Sequence, residues 1–192
     1  MSDEHGHEHS RDGDHDDHPH DGDHGPGSDD HHADDADRVA VAVLTVSSTR
    51  SVDDDPAGDA IVAAVEDAGH EAVQRAAVPD EAAAIEAATL AAFDDAGADV
   101  VVTTGGTGLT PDDVTPEAAR GLFDRRVPGF GELFRYLSYE DVGPMAMASR
   151  ATAGVVDDGL LFCLPGSEAA ARLGAEELIA PTVGHLLGLV RR

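Results

Sequence analysis

The chain has 192 residues, enough for one folded domain, and sets 39 acidic residues against 12 basic ones for a formal net charge of −27. Every basic residue is Arg, and so acidic a chain lacks the positive footprint that a reader of nucleic-acid phosphates needs. The single cysteine, Cys163, cannot build an internal disulfide framework, and the longest apolar run, Val39–Val46, is too short to span a bilayer.

Residues 1–37 hold 14 acidic residues, one Arg and nine of the eleven His, with no Leu, Ile, Val, Phe, Tyr or Trp. With almost nothing to bury, this segment is expected to be a disordered acidic tail ahead of a folded domain at 38–192. It has no apolar h-region, so no secretory signal is read there and a cytoplasmic location is expected. His5, His7 and His9, with His31 and His32, could hold transition metals. A tail without fixed ligand geometry implies weak, nonspecific affinity rather than a dedicated site.

Val39–Val46 is a continuous apolar run rich in β-branched residues, the pattern of a strand buried on both faces. Ser47–Gly58 reads as a loop, and Asp59–Ala68 as a helix with Ile61, Val62 and Val65 on one face and Gly69 just past its end. Glu71–Val78 predicts a second strand. Pro79-Asp80-Glu81 opens an Ala-rich helix to about Ala96, with Ile85, Leu90 and Phe93 as core candidates. Ala98–Thr103 predicts a third strand and Thr104–Gly108 a Gly-rich turn. Thr115 reads as an N-cap before Pro116, with helix continuing to about Tyr139. Ala151–Val156 and Leu160–Leu164 read as strands around Asp157-Asp158-Gly159, and Ser167–Leu178 and Thr182–Val190 as helices. Strands alternating with helices predict an α/β fold with a mostly parallel sheet and right-handed crossovers. Cys163, between Phe162 and Leu164, reads as buried core.

The chemistry centres on Thr104-Gly105-Gly106-Thr107-Gly108, where a buried strand runs straight into a small-residue turn. In open α/β sheets ligands sit outside the carboxyl ends of the strands. Glycines let backbone N–H groups approach an anion, so phosphate is the natural occupant. The turn is neither a Walker loop, there being no Lys, nor a G-x-G-x-x-G fingerprint. Asp112 and Asp113 follow closely. Carboxylates beside a phosphate site fit a divalent cation held between them; equally, they fit acids preceding a helix.

Thr104–Gly108 followed by Asp113-Val114-Thr115-Pro116-Glu117 resembles the MogA/MoaB family of molybdenum cofactor biosynthesis, which includes the G domain of gephyrin and its plant counterpart. Four further blocks, in the same order, are similar to that family: Leu44–Ser47 with Arg50 and Asp55–Gly58; Phe123–Arg135; Ser149–Val155; and Leu164–Ser167. The resemblance covers about residues 38–190 and is nearest to MoaB. It implies a three-layer fold with a mostly parallel sheet flanked by helices. It further implies a molybdopterin adenylyltransferase that moves AMP from Mg-ATP to molybdopterin and releases pyrophosphate.

On this resemblance Asp113 and Asp80 are the catalytic carboxylates, holding Mg2+ through the substrate phosphates. Ser47, Arg50, Asp55, Gly58, Thr104, Gly105, Gly106, Thr107, Gly108, Gly129, Gly131, Glu132, Ser149, Arg150, Pro165, Gly166 and Ser167 would bind substrate. Ser167 stands where some homologues carry Asn. A homotrimer or homohexamer and a molybdate-inserting MoeA-like partner are also implied, with no nucleic acid and no membrane. The alternative is a non-catalytic molybdopterin-binding or scaffolding protein of the same fold. Abundant Asp without Lys also resembles the proteins of salt-loving microbes, whose working medium screens charge within a few ångström.

Overall fold

The structure, a computed structural model, describes residues 36–192, so the expected tail and its histidine cluster lie, apart from Ala36 and Asp37, outside the described residues. Among the described residues six strands form one sheet: β1 (Ala40–Val46), β2 (Glu71–Val78), β3 (Val100–Thr104), β4 (Arg125–Arg126), β5 (Thr152–Val156) and β6 (Gly159–Leu164), in the order β2-β1-β3-β6-β5-β4. The pairs β2–β1, β1–β3 and β3–β6 are parallel, whereas β5 runs antiparallel to both β6 and β4.

Among the described residues six α-helices cover the two faces: α1 (Pro56–Asp67), α2 (Ala82–Asp94), α3 (Thr115–Leu122), α4 (Pro128–Val142), α5 (Glu168–Gly174) and α6 (Val183–Val190). Alternation along β1 divides the core. Val41 and Val43 point to a layer holding Ile61, Phe134, Ile179 and Leu187. Ala42 and Leu44 point to the layer holding Ile85, Ala92 and Ala119. With both faces covered, the central strands favour apolar residues on both sides, which explains the near-continuous run in β1, where Thr45 is the polar exception. Phe130 meets Phe162 edge-on at 5.1 Å, tying α4 to β6. Among the described residues, no single helix is long and apolar enough to cross a membrane.

Local expectations changed in four places. Helix α1 starts at Pro56, not Asp59, because Asp55 caps it: its Oδ1 accepts from the Gly58 N–H at 3.0 Å. The N-cap of α3 is Val114; Thr115 is already helical, and its hydroxyl donates to the Gly105 carbonyl at 2.9 Å. The helix expected to run to Tyr139 is interrupted at Phe123. There the Asp124 and Val127 N–H groups bond to Val155 and Ala153 carbonyls and create the edge strand β4. A side chain at Gly154 would collide with the Phe123 ring, so that contact needs glycine. Leu90 lies on the outer side of α2, 41% exposed, while Ile85 and Thr89 face the core. An Ala-rich helix offers little contrast between its faces, which is why the pattern misplaced it.

Candidate functional site

The register places Thr45, Thr104 and Leu164 level at the carboxyl ends of β1, β3 and β6. Connections from β1 and β3 diverge to opposite sides of the sheet here, the topological switch point where such sheets open a crevice. Three loops leave this edge and enclose a cleft of about 500 Å3. One carries Ser47 and Arg50, the second Thr104–Gly108 and Asp113, the third Pro165–Ser167; Ser149 approaches from the segment before β5.

Two glycines make the central turn possible. Gly105 and Gly106 have φ of +106° and +62°. A side chain on Gly105 would strike the Val46 carbonyl, and one on Gly106 the Thr115 hydroxyl. The turn is stitched to its neighbours. Gly105 N–H donates to Leu164 C=O at 3.0 Å, and the Thr104 hydroxyl donates to Pro165 C=O at 2.9 Å. Arg50 Nη1 donates to Gly166 C=O at 2.8 Å, closing the first loop onto the third. The Ser47 hydroxyl accepts from the Thr49 and Arg50 N–H groups and shapes the turn that presents Arg50.

Asp113 is the carboxylate of the cleft. Its Oδ2 accepts from the Thr110 hydroxyl at 2.6 Å and the Thr110 N–H at 2.8 Å. The Thr110 hydroxyl, foremost, holds this carboxyl below the usual range; partial burial opposes it, and the Thr110 and Gly108 N–H groups and the nearby Arg150 charge add to it. Asp113 is therefore an anion at neutral pH and below.

The structure does not bring every expected residue into the cleft. Asp80 lies outside its lining; its Oδ2 accepts from the N–H and the hydroxyl of Ser48, both at 2.7 Å, and so fastens the first loop to the end of β2. Asp55 is 2% exposed and faces inward, bonded to the Thr45 hydroxyl, the Gly58 N–H and Arg75. Gly58 fits against that carboxylate in the first turn of α1. Neither lines the cleft, and both support the start of α1. Arg150 also turns away from the cleft. Its guanidinium donates to the carbonyls of Gly108 and Asp113 and pairs with Glu117 at 2.6 Å, while its N–H donates to Thr107 C=O at 3.0 Å. It clamps the Gly turn from behind. Gly131 and Glu132 border a separate pocket beyond Arg150, and Gly129 contacts neither.

Sequence reasoning missed Val46 and Thr49, which line the cleft, and Thr110, which orients Asp113. Thr110 lies three residues before an Asp, a spacing that local side-chain turns favour and that could have found it. A second, apolar recess of about 230 Å3 adjoins the cleft through Ser149, Pro165 and Ser167 and extends under Phe134, Val142 and Leu173.

The family model described as a probable molybdopterin binding domain matches residues 42–185. Molybdenum cofactor biosynthesis protein B of Bacillus subtilis (strain 168) is 41% identical over 164 residues, covering 85% of this chain and 96% of that protein. The protein of the same name from Escherichia coli (strain K12) is 45% identical over 141 residues, 73% of this chain and 83% of its own. The crystal structure of the tungsten cofactor synthesizing protein MoaB from Pyrococcus furiosus superposes with a TM-score of 0.73 at 38% identity, over 81% of this chain and 98% of that one. With the family model spanning all three cleft loops and relatives this similar over most of their length, the chain belongs to the MoaB/MogA family of molybdenum cofactor biosynthesis, built on a probable molybdopterin-binding domain.

Proposed function

We propose that the chain is a molybdopterin adenylyltransferase. A terminal phosphate oxygen of molybdopterin attacks the α-phosphorus of ATP; the new P–O bond forms as the bond to pyrophosphate breaks. The observation that supports this reading is the convergence of the Gly turn, Arg50 and an ionised Asp113 on one cleft at the switch point. The attacking oxygen is already anionic, so no strong base is required. Gly105 has committed its N–H group to Leu164, and Gly108 lies against the Asp113 carboxylate, which leaves the Gly106 and Thr107 amides for a phosphate. Arg50 adds positive charge, and Ser149, Pro165 and Ser167 lead toward the apolar recess, which suits the flat ring system of a pterin.

The donor set fits Mg2+. Among the described residues no group of three or more His, Cys, Asp or Glu forms a closed metal site. Mg2+ commonly takes one or two carboxylates and fills its remaining positions with water and substrate phosphate. Asp113, and Asp80 from the segment after β2, would be those carboxylates, and the bound ion would supply charge compensation for the phosphates.

The test is direct: full-length protein in high salt with molybdopterin and Mg-ATP, following pyrophosphate and adenylylated product. Asp113→Asn should lower turnover roughly 100-fold or more while pterin affinity changes little. Normal turnover by that variant overturns the assignment. Tight pterin binding without product from the wild-type chain would make this a pterin-binding or scaffolding protein. The prior engagement of Asp80 by Ser48 and of Asp113 by Thr110 favours that second reading.

We further infer a closed homo-oligomer, a trimer or hexamer. Tyr136, Met145 and Met147 leave an apolar surface along α4 and the turn after it, with Tyr136 70% and Met147 82% exposed. A MoeA-like acceptor of the product, a cytoplasmic location and a saline working environment complete the proposal.

A further inference from the structure

Four of the chain's twelve arginines line one pocket of about 350 Å3 on the far side of Arg150 from the cleft. Arg120 comes from α3, Arg126 from β4, Arg135 from α4, and Arg150 from the segment before β5. Segments distant in sequence thus deliver like charges to one concavity, in a chain whose net charge is −27. Such crowding costs free energy unless something negative balances it. Among the described residues only part of that balance is supplied. Glu117 pairs with Arg120 at 3.0 Å and with Arg150 at 2.6 Å, and Glu132 stands at the wall.

The remaining donors are unspent. The Arg126 guanidinium makes no hydrogen bond or ion pair among the described residues. Arg135 reaches the Ser149 and Ala151 carbonyls through Nη1 alone, at 3.4 and 3.5 Å. Gly131 lets α4 come this close: a side chain there would strike the Ala151 carbonyl and crowd the Arg135 guanidinium. Planar guanidinium forks match the paired oxygens of a phosphate better than any other side chain.

We propose that this pocket binds a free phosphate-class oxyanion, separately from the Gly-turn cleft. Arg150 stands between the two sites, one face toward the pocket and its N–H groups holding the Gly108 and Asp113 carbonyls. The assignment needs only the guanidinium groups and does not rest on the adenylyl-transfer reading.

Inorganic pyrophosphate is the probe, titrated calorimetrically into the full chain without nucleotide or pterin, at one fixed salt concentration that keeps the chain folded. Wild type should bind one equivalent per chain in this pocket, apart from any that the Gly-turn cleft takes up. Arg126→Ala, at an exposed residue without partners, should weaken binding tenfold or more, and Arg126→Lys should recover part of it. Arg50→Ala, on the cleft side, should leave it unchanged. Absence of binding by wild type overturns the proposal. So does loss in Arg50→Ala with retention in Arg126→Ala, which would seat the anion in the cleft. Loss in both, or in neither, overturns it as well. So does a change of subunit stoichiometry in Arg126→Ala without any anion binding, which would assign the arginines to carboxylates of a second copy.

Discussion

Asp113 shows how one residue carries two readings. In the sequence it is an acid a few positions past a Gly turn, and spacing cannot separate a ligand for a cation from a residue that favours a helix start. The structure separates the geometry: the carboxylate points into the cleft and is held by Thr110. Removing that hydroxyl with Thr110→Val should raise the Asp113 pKa toward the ordinary carboxylate value, because the hydroxyl bond is the largest influence lowering it. A carboxyl-carbon NMR titration reads this directly, and an unchanged midpoint would show that the N–H bonds and Arg150 suffice. The sign for stability follows. A carboxyl with a depressed folded pKa favours the fold above its unfolded pKa, and that contribution is lost as pH falls through the folded value. In Thr110→Val this acid-side contribution should shrink. Asp55 teaches the reverse lesson. It resembles a loop acid of the site, yet beyond its local cap to Gly58 its partners Thr45 and Arg75 lie 10 and 20 residues away, and only the fold brings them around it.

At the scale of elements, the loops at the strand ends behave as one clamped unit, and Arg150 is the clamp. Its guanidinium bonds reach the last glycine of the turn and the backbone of Asp113, spanning the segment 107–115 from outside. Hydrogen bonds from a charged group contribute about 1.5–3 kcal/mol each when well buried, and less at this half-buried position. Arg150→Leu should therefore speed amide exchange in residues 107–115 by roughly tenfold or more, with β1 and β3 still protected; unchanged exchange would show that the glycines alone set the loop. Arg150→Lys should behave nearly as badly, because an ammonium cannot span both carbonyls. Much of this element order was legible. The strands β1, β2, β3, β5 and β6 and their connecting helices follow from apolar runs and punctuation. What was hidden has a tertiary cause. β4 is two arginines long and exists because Phe123 packs on Gly154 and the β5 edge offers free carbonyls. No periodicity announces a strand of that length. The arginine pocket was invisible for the same reason: its members stand at positions 120, 126, 135 and 150, and only the break at Phe123 lets the helices and strands around it converge.

At the scale of the whole molecule, the balance of charge sets the conditions for folding. Residues 38–192 carry 25 acidic residues against 11 Arg, so most carboxylates have no cation to pair with. Two helices even end on acids. Glu66 and Asp67 close α1, Asp94 closes α2 with Asp95 as its C-cap, and neither last turn holds a basic residue. Each such charge opposes the helix dipole by about 0.3–1 kcal/mol at low ionic strength. The exposed pairs Arg38–Glu71 and Arg172–Glu168 give back only about 0–1 kcal/mol each. Repulsion therefore outweighs attraction, and salt should relieve it: the Debye length falls from about 10 Å at 0.1 M to about 3 Å at 1 M. The melting temperature should rise steeply across that range. General salting-out also raises stability, so the discriminating measurement is a charge variant. Asp67→Asn with Asp94→Asn, both at exposed helix ends, should raise the melting temperature in 0.1 M salt by a few degrees, and this gain should vanish above 1 M. A gain of equal size at both concentrations would mean that the substitutions act through helix propensity. Equal wild-type melting temperatures in low and multimolar salt would refute the electrostatic account, and with it the inference that this chain is suited to saline surroundings.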